Sequence, residues 1–239
     1  MNKKTILTLV IGLAVISMAS AQNLDKILDS HFKAVGQKNL EKIKTIQAKG
    51  KASAMGMDMP FTMSIKRPDK MKIVIDVQGA EIIQAVDGTT VWAVNPMMGS
   101  SAAMVLTGAE AEGLQENADL DGQLWNYNEK GHQLALEGSE EVNGKDCYVL
   151  KLTKKNGNTD YYFLDKDSYL IQKVRTTTMM NGSAMEVEAI PSNYNDVDGY
   201  KMAFKTEQRA GGQTMMTLTY DNVEANVDMD DAMFAKPDN

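Results

Sequence analysis

The 239 residues predict an α+β protein built around a single antiparallel sheet. Apolar and polar residues alternate over 55–65 and again over 71–77, the period of strands with one buried face. Pairs that accept positive φ and match strand twist recur at Asp87-Gly88, Asn143-Gly144, Asn156-Gly157, Asn181-Gly182, Asp198-Gly199 and Gly211-Gly212. The linkages between the apolar runs are too short for helical crossovers, so successive strands are expected to run antiparallel.

The chain opens with Asn2, Lys3 and Lys4, continues through a largely apolar Thr5–Ser17, and reaches the small residues Ala19-Ser20-Ala21. That is the pattern of a secretory signal over residues 1–21, cleaved after Ala21. Its apolar run is shorter than the ~20 residues that span a bilayer. No cysteine follows it to take a lipid, so the expected product is a soluble periplasmic protein exported across the inner membrane. Residues 22–239, 218 in number (239 − 21), fit one domain, and no Pro/Ser-rich linker or repeat divides them. Losing Lys3 and Lys4 moves the formal charge from −7 to −9, with no basic stripe to attract nucleic acid. Cys147 is the only cysteine, which excludes an internal disulfide; beside Tyr148-Val149-Leu150 it reads as a small buried strand residue.

Leu24, Ile27, Leu28, Phe32 and Val35 follow helical spacing between a capping Asn23 and a terminating Gly36. A short turn is expected from Asn39 to Ile43, with extended chain from about Gln47. Met55, Met57, Met59, Phe61, Met63 and Ile65 then share one face of a strand, and Met71, Ile73, Ile75 and Val77 one face of its partner. Pro60 and Pro68 imply an edge, bulge or turn. Further strands are expected at Ile82–Ala85, Thr90–Val94, Leu134–Glu137, Cys147–Leu152, Tyr161–Asp165, Leu170–Thr177, Ala184–Ala189, Lys201–Gln208 and Met215–Tyr220. Between the two groups, Thr107-x-x-Glu110 opens an Ala/Glu-rich helix to Asn117 with a capping-box pattern. Leu120, Leu124, Trp125 and Tyr127 make a further short apolar helix or a lid segment.

The sequence carries no G-x-S-x-G, Walker, G-x-G-x-x-G or H-E-x-x-H motif, so a non-enzymatic role without cofactor or metal is expected. His31 and His132 are its only histidines and, with one cysteine, do not build a typical structural zinc site. Met55-Gly56-Met57-Asp58-Met59 has the thioethers that Cu(I) prefers, which keeps a methionine-based copper binder as an alternative. Their shared face with Phe61 and Ile65 favours an adaptable apolar wall instead. Periodicity alone does not separate an open cavity from a soft closed core.

Ile65-Lys66-Arg67-Pro68-Asp69-Lys70-Met71, then Val86-Asp87-Gly88-Thr89-Thr90-Val91-Trp92-Ala93-Val94-Asn95-Pro96, and finally Asp231–Pro237 resemble the LolA-like periplasmic carriers that sort outer-membrane lipoproteins. The resemblance implies an incomplete antiparallel barrel, a half-barrel with a helical lid over an apolar concave face. It also implies non-catalytic binding of lipoprotein acyl chains and their passage toward the outer membrane. The partners would be an inner-membrane lipoprotein-releasing transporter and an outer-membrane acceptor, with the carrier itself monomeric. Free-lipid binding or envelope-stress sensing on the same fold is the alternative. Arg67 matches the arginine that holds the lid in such carriers; read from the residues alone, it is a surface arginine at a strand end. Met55, Met57, Met59, Phe61, Met63, Ile65, Met71, Ile73 and Trp92 would form the acyl-cavity wall. Ala93 departs from the aromatic residue common in the carriers, which implies different cargo.

Overall fold

A computed structural model describes residues 23–180 and 183–238; the expected signal and the Asn181-Gly182 turn lie outside them. A helix, α1, covers residues 23–35 and stops at Gly36, whose φ of 78° starts the short α2 (Gln37–Leu40). A side chain at Gly36 would place its Cβ 2.1 Å from the Gly199 carbonyl oxygen, so the α1–α2 junction sits directly against a strand turn. Asn39 Nδ2 donates to that same oxygen at 3.0 Å.

Thirteen strands form one sheet. The first six are β1 (Thr45–Ala54), β2 (Met57–Lys66), β3 (Lys70–Val77), β4 (Ala80–Asp87), β5 (Thr90–Asn95) and β6 (Ser100–Val105). Helix α3 (Gly108–Ala118) and a run of turns to residue 131 lead to the other seven. These are β7 (Gln133–Val142), β8 (Lys145–Thr153), β9 (Thr159–Asp165), β10 (Ile171–Met180), β11 (Ser183–Val197), β12 (Tyr200–Ala210) and β13 (Gln213–Ala225). Each group is a meander, and the two join where β13 pairs with β1. All pairings are antiparallel; β6 and β7 are the two edges and do not pair, so the sheet is not closed. Among the described residues, no helix is long and apolar enough to cross a membrane.

At Asp87-Gly88 and Asn156-Gly157 only the glycine adopts positive φ, whereas both residues do so at Asn143-Gly144 (52° and 79°), Asp198-Gly199 (51° and 81°) and Gly211-Gly212 (57° and 77°). Two more of the same kind occur at Met55-Gly56 and Gln78-Gly79. Met55 is therefore a hairpin-tip residue, 95% exposed, and the alternating strand begins only at Met57. Pro60 pairs with Lys51 of β1 but lies beyond Phe61↔Ile75, the last β2–β3 pair, so its missing N–H costs no ladder bond on that side. Pro68 stands in the β2–β3 turn, after a cis peptide.

All three helices lie on one face of the sheet. Leu24, Ile27 and Leu28 of α1 pack on Leu150, Leu152, Tyr162 and Leu164 of β8 and β9. Leu114 and Ala118 of α3 pack on Ile65, Met71, Val86 and Val91 of β2–β5. Leu40 and Ile43 cover Ile46, with Tyr200 and Val223 alongside. On the opposite face, Trp92 packs with Ala85 and Ala103, and its indole N–H donates to the Phe234 carbonyl at 2.8 Å. Cys147 is fully buried there too, in β8, with Val142, Val149 and Phe163.

Candidate functional site

The helices meet the sheet around Arg67, at the end of β2. Arg67 Nε donates to the Ile43 carbonyl at 2.8 Å and Nη2 to the Leu40 carbonyl at 3.0 Å, tying down the last turn of α2. The same guanidinium grips Asp121, just after α3, through Nη1–Oδ2 at 2.5 Å and Nη2–Oδ1 at 2.7 Å. Such a two-pronged pair uses the planar fork of arginine, which lysine lacks. One side chain thus joins a strand end, a helix end and the segment leaving α3.

A second set of polar contacts holds α3 from the far side. Lys154 Nζ lies 2.7 Å from Glu116 of α3 and 2.9 Å from Asp160 of β9, and Asn156 donates to Glu112 at 3.0 Å. Lys130 binds Asp119 at 2.5 Å and the Gly122 carbonyl at 2.6 Å, closing the turn run on itself. Beyond these contacts Leu124 is buried against α1, and Trp125 meets the Phe32 ring edge-on at 4.7 Å.

Between α1, the segment after α3 and β9–β12 lies a cleft of about 450 Å³. Phe32, Val35, Leu124, Val174, Ala189 and Pro191 give it apolar walls, and His31, Tyr162, Tyr194 and Tyr200 also face it. That volume falls in the range of small-molecule sites, roughly 300–1,000 Å³. Burial lowers the pKa of His31 and raises those of Tyr162, Tyr194 and Tyr200 above the usual phenol value, so all four are uncharged near neutral pH.

The expected wall divides into three parts. Met57, Met59, Phe61, Met63 and Ile65 share the helix-bearing face, with Ile73 opposite Met63 and Met71 opposite Ile65. Along this face of β2 Met57 is 41% exposed, Phe61 is buried against Tyr220, and Ile65 is buried beneath α3. Met55 does not join the wall, since its positive φ places it in the turn. Trp92 does not either: Val91 faces α3, so the next residue along the strand, 2% exposed, points to the other face beneath Phe234. None of the β2 methionines lines the enclosed cleft; its sheet side comes from Tyr162, Val174, Ala189, Pro191 and Thr206. Among the described residues, no group of three His, Cys, Asp or Glu side chains is placed to hold a metal ion.

By sequence, no family model and no curated protein matches the chain. Solved structures do match. A LolA superfamily protein from Nitrosomonas europaea aligns at a TM-score of 0.57 and 14% identity, over 85% of this chain and 96% of that one. The chain has the LolA-like fold. A putative outer membrane lipoprotein-sorting protein domain from Vibrio parahaemolyticus shares it at a TM-score of 0.58 and 14% identity, over 89% and 97% of the two chains. A DUF1329 family protein from Desulfovibrio piger does so at 0.60 and 17%, over 87% and 96%. In this LolA-like chain the Arg67 node and the cleft are built by residues far apart in sequence. The expected strand-end arginine leads to one, while nothing local to Val174, Ala189 or Pro191 announces the other.

Proposed function

We propose that the protein is a periplasmic carrier that holds the acyl chains of lipoproteins between its sheet and a helical lid and passes them toward the outer membrane. The observation that carries this reading is Arg67. It joins the sheet to Asp121, and Lys154 and Asn156 add polar contacts to α3, whose Leu114 and Ala118 pack on the sheet. In this reading the sheet is a half-barrel, α3 and residues 119–123 are the lid, and the face beside and beneath them, from Met57 to Ile73, receives acyl chains. The likeness to the Vibrio parahaemolyticus lipoprotein-sorting domain supports a carrier of this class. Each methylene moved from water to such a surface contributes ~0.8 kcal/mol, so a long chain needs a replacement apolar wall in transit. Transfer makes and breaks no covalent bond. Loading draws on an inner-membrane transporter and release on an outer-membrane acceptor. The N-terminal 21 residues act as the export signal.

The test is a transfer assay between membrane-bound donor and acceptor using wild type and Arg67→Leu. The variant is expected to fold and to fail in loading or release. Normal transfer by Arg67→Leu would refute the lid role, and retention of free lipid alone would favour a lipid binder of the same fold.

A further inference from the structure

Where this protein leaves a large apolar side chain open to solvent, that side chain is nearly always methionine. Among the described residues seven such side chains are exposed; six are Met55, Met57, Met97, Met98, Met104 and Met215, and the seventh is Val105. Met71 and Met229, by contrast, are buried. A thioether differs from the side chains of Leu, Ile and Phe in one chemical respect. A two-electron oxidant converts it to a polar sulfoxide, and sulfoxide reductases convert it back.

Met57 is the place where this conversion bears on the apolar face of β2. It stands in the run of Phe61, Met63 and Ile65, but whereas Met63 and Ile65 pack with α3, Met57 is open, and its partner across β1 is the small Ala54. Its sulfur also has a polar neighbour. Gln78 Nε2 donates to Met57 Sδ at 3.7 Å from the β3–β4 turn, where a φ of 56° sets the Gln78 backbone. A thioether sulfur is a weak acceptor. A sulfoxide oxygen on the same atom is a strong one, so the amide that would receive it is already in place before oxidation.

We propose that Met57 is a reversible oxidation site: its thioether takes one oxygen atom from a hypohalous acid, the Gln78 amide holds the resulting sulfoxide, and the polar group so created weakens the hold of this face on acyl chains. The sulfur lone pair attacks the oxygen of hypochlorous acid, an S–O bond forms, the O–Cl bond breaks, chloride leaves and the hydroxyl proton passes to water. Sulfur loses two electrons and chlorine gains them. In the return step a dithiol supplies two electrons through a sulfoxide reductase, the oxygen leaves as water and the dithiol becomes a disulfide. The effect on acyl chains rests on the carrier reading above and adds its regulation; the oxidation site does not depend on that reading.

The experiment titrates the purified protein with hypochlorous acid at neutral pH, maps methionine oxidation by peptide mass spectrometry, and measures displacement of the fluorophore N-phenylnaphthylamine by a palmitoylated peptide before and after. Met57 is expected to become sulfoxide at doses that leave Met71 and Met229 intact. Affinity for the palmitoylated peptide should fall about fivefold or more, as expected when a polar group is set against an apolar chain. Sulfoxide reductases of both epimer specificities, with dithiol, should restore it. Met57→Leu is expected to keep its own starting affinity through the same dose, whereas Met97→Leu combined with Met98→Leu stays as sensitive as the wild type. In Gln78→Ala the Met57 sulfoxide, without its donor, should be reduced roughly fivefold faster, the worth of one hydrogen bond. Met57 left unoxidised when Met55 and Met98 are fully converted overturns the site. Unchanged affinity in the oxidised wild type, or an equal loss in Met57→Leu, overturns the effect on acyl chains, and an unchanged reduction rate in Gln78→Ala overturns the role of Gln78. Failure of the palmitoylated peptide to displace the fluorophore before any oxidation overturns the carrier reading and the loss of hold with it, while Met57 sulfoxide on the map would still support the site.

Discussion

Helices α1 and α3 lie on the same face of the same sheet, yet they are held in different ways. Helix α1 is fixed by burial: Leu24, Ile27 and Leu28 sink among Leu150, Leu152 and Leu164. Helix α3 buries Leu114 and Ala118, with Ala111 beside them, and adds polar contacts from Lys154, Asn156 and, one turn later, Arg67. Apolar burial is non-directional and accrues with area, whereas an ion pair is lost once its partners separate or a competing charge arrives. The contrast sets a helix held by a broad apolar seat beside one that adds ion pairs to a narrower seat, and the proposed carrier function makes the second the one that is released.

Substitutions can break this contrast or sharpen it. Leu28→Ala should have the largest effect, lowering global stability by about 2–5 kcal/mol in a denaturant titration, as expected for emptying a packed core site. A loss confined to α1 with an unchanged midpoint would show that α1 is not part of the core. Arg67→Leu should act locally, costing about 1.5–3 kcal/mol for the lost charge-assisted bonds. Hydrogen exchange should then show residues 108–123 losing protection while α1 keeps it.

The third test is acid. Burial raises the pKa of Asp165, at the end of β9, but bonds from Lys145 and from the backbone of Asp167 and Ser168 outweigh it and hold the carboxyl at about 2, against 3.8 for a free one. The stabilisation is fully present above about pH 4 and is lost as the pH falls through about 2. Asp165→Asn should therefore cost on the order of 1–2 kcal/mol at neutral pH and flatten the loss of stability between pH 4 and 2. An equally steep acid limb in the variant would assign the transition to other carboxylates. The smallest effect is expected from Glu116→Gln, about 1 kcal/mol or less, because Lys154 retains Asp160. Combined with Arg67→Leu it should open α3 further than the two single changes predict together, since both hold one element.

What the sequence disclosed divides along the line between local and long-range structure. The α1 helix, the alternation of β2 from Met57 and of β3, and the Asn143-Gly144 and Asp198-Gly199 turns depend on neighbours a few residues apart, and each is where the pattern puts it. Strand β6 has no signature in the sequence because Ser100–Val105 lacks alternation, and Met55 keeps the strand period although it is a turn residue. Trp92 illustrates a second limit. Alternation separates two faces of a strand but not which one meets the helices; that follows from the register of Val86 with Val91 under Leu114. Asp121 stands 54 residues from Arg67, and the sheet side of the cleft is drawn from four strands, so neither had a local signature. The Lys-Arg-Pro element pointed to Arg67 but not to its partner.

The most direct test of the central claim, that acyl cargo is carried beneath a charge-latched α3, is mass spectrometry of material extracted from the protein after gentle purification from a bacterial envelope, wild type beside Arg67→Leu. The account predicts acylated peptide or intact lipoprotein bound to the wild type, and an altered load on the variant. Wild-type protein that is empty as isolated and takes up no added acyl ligand would contradict it.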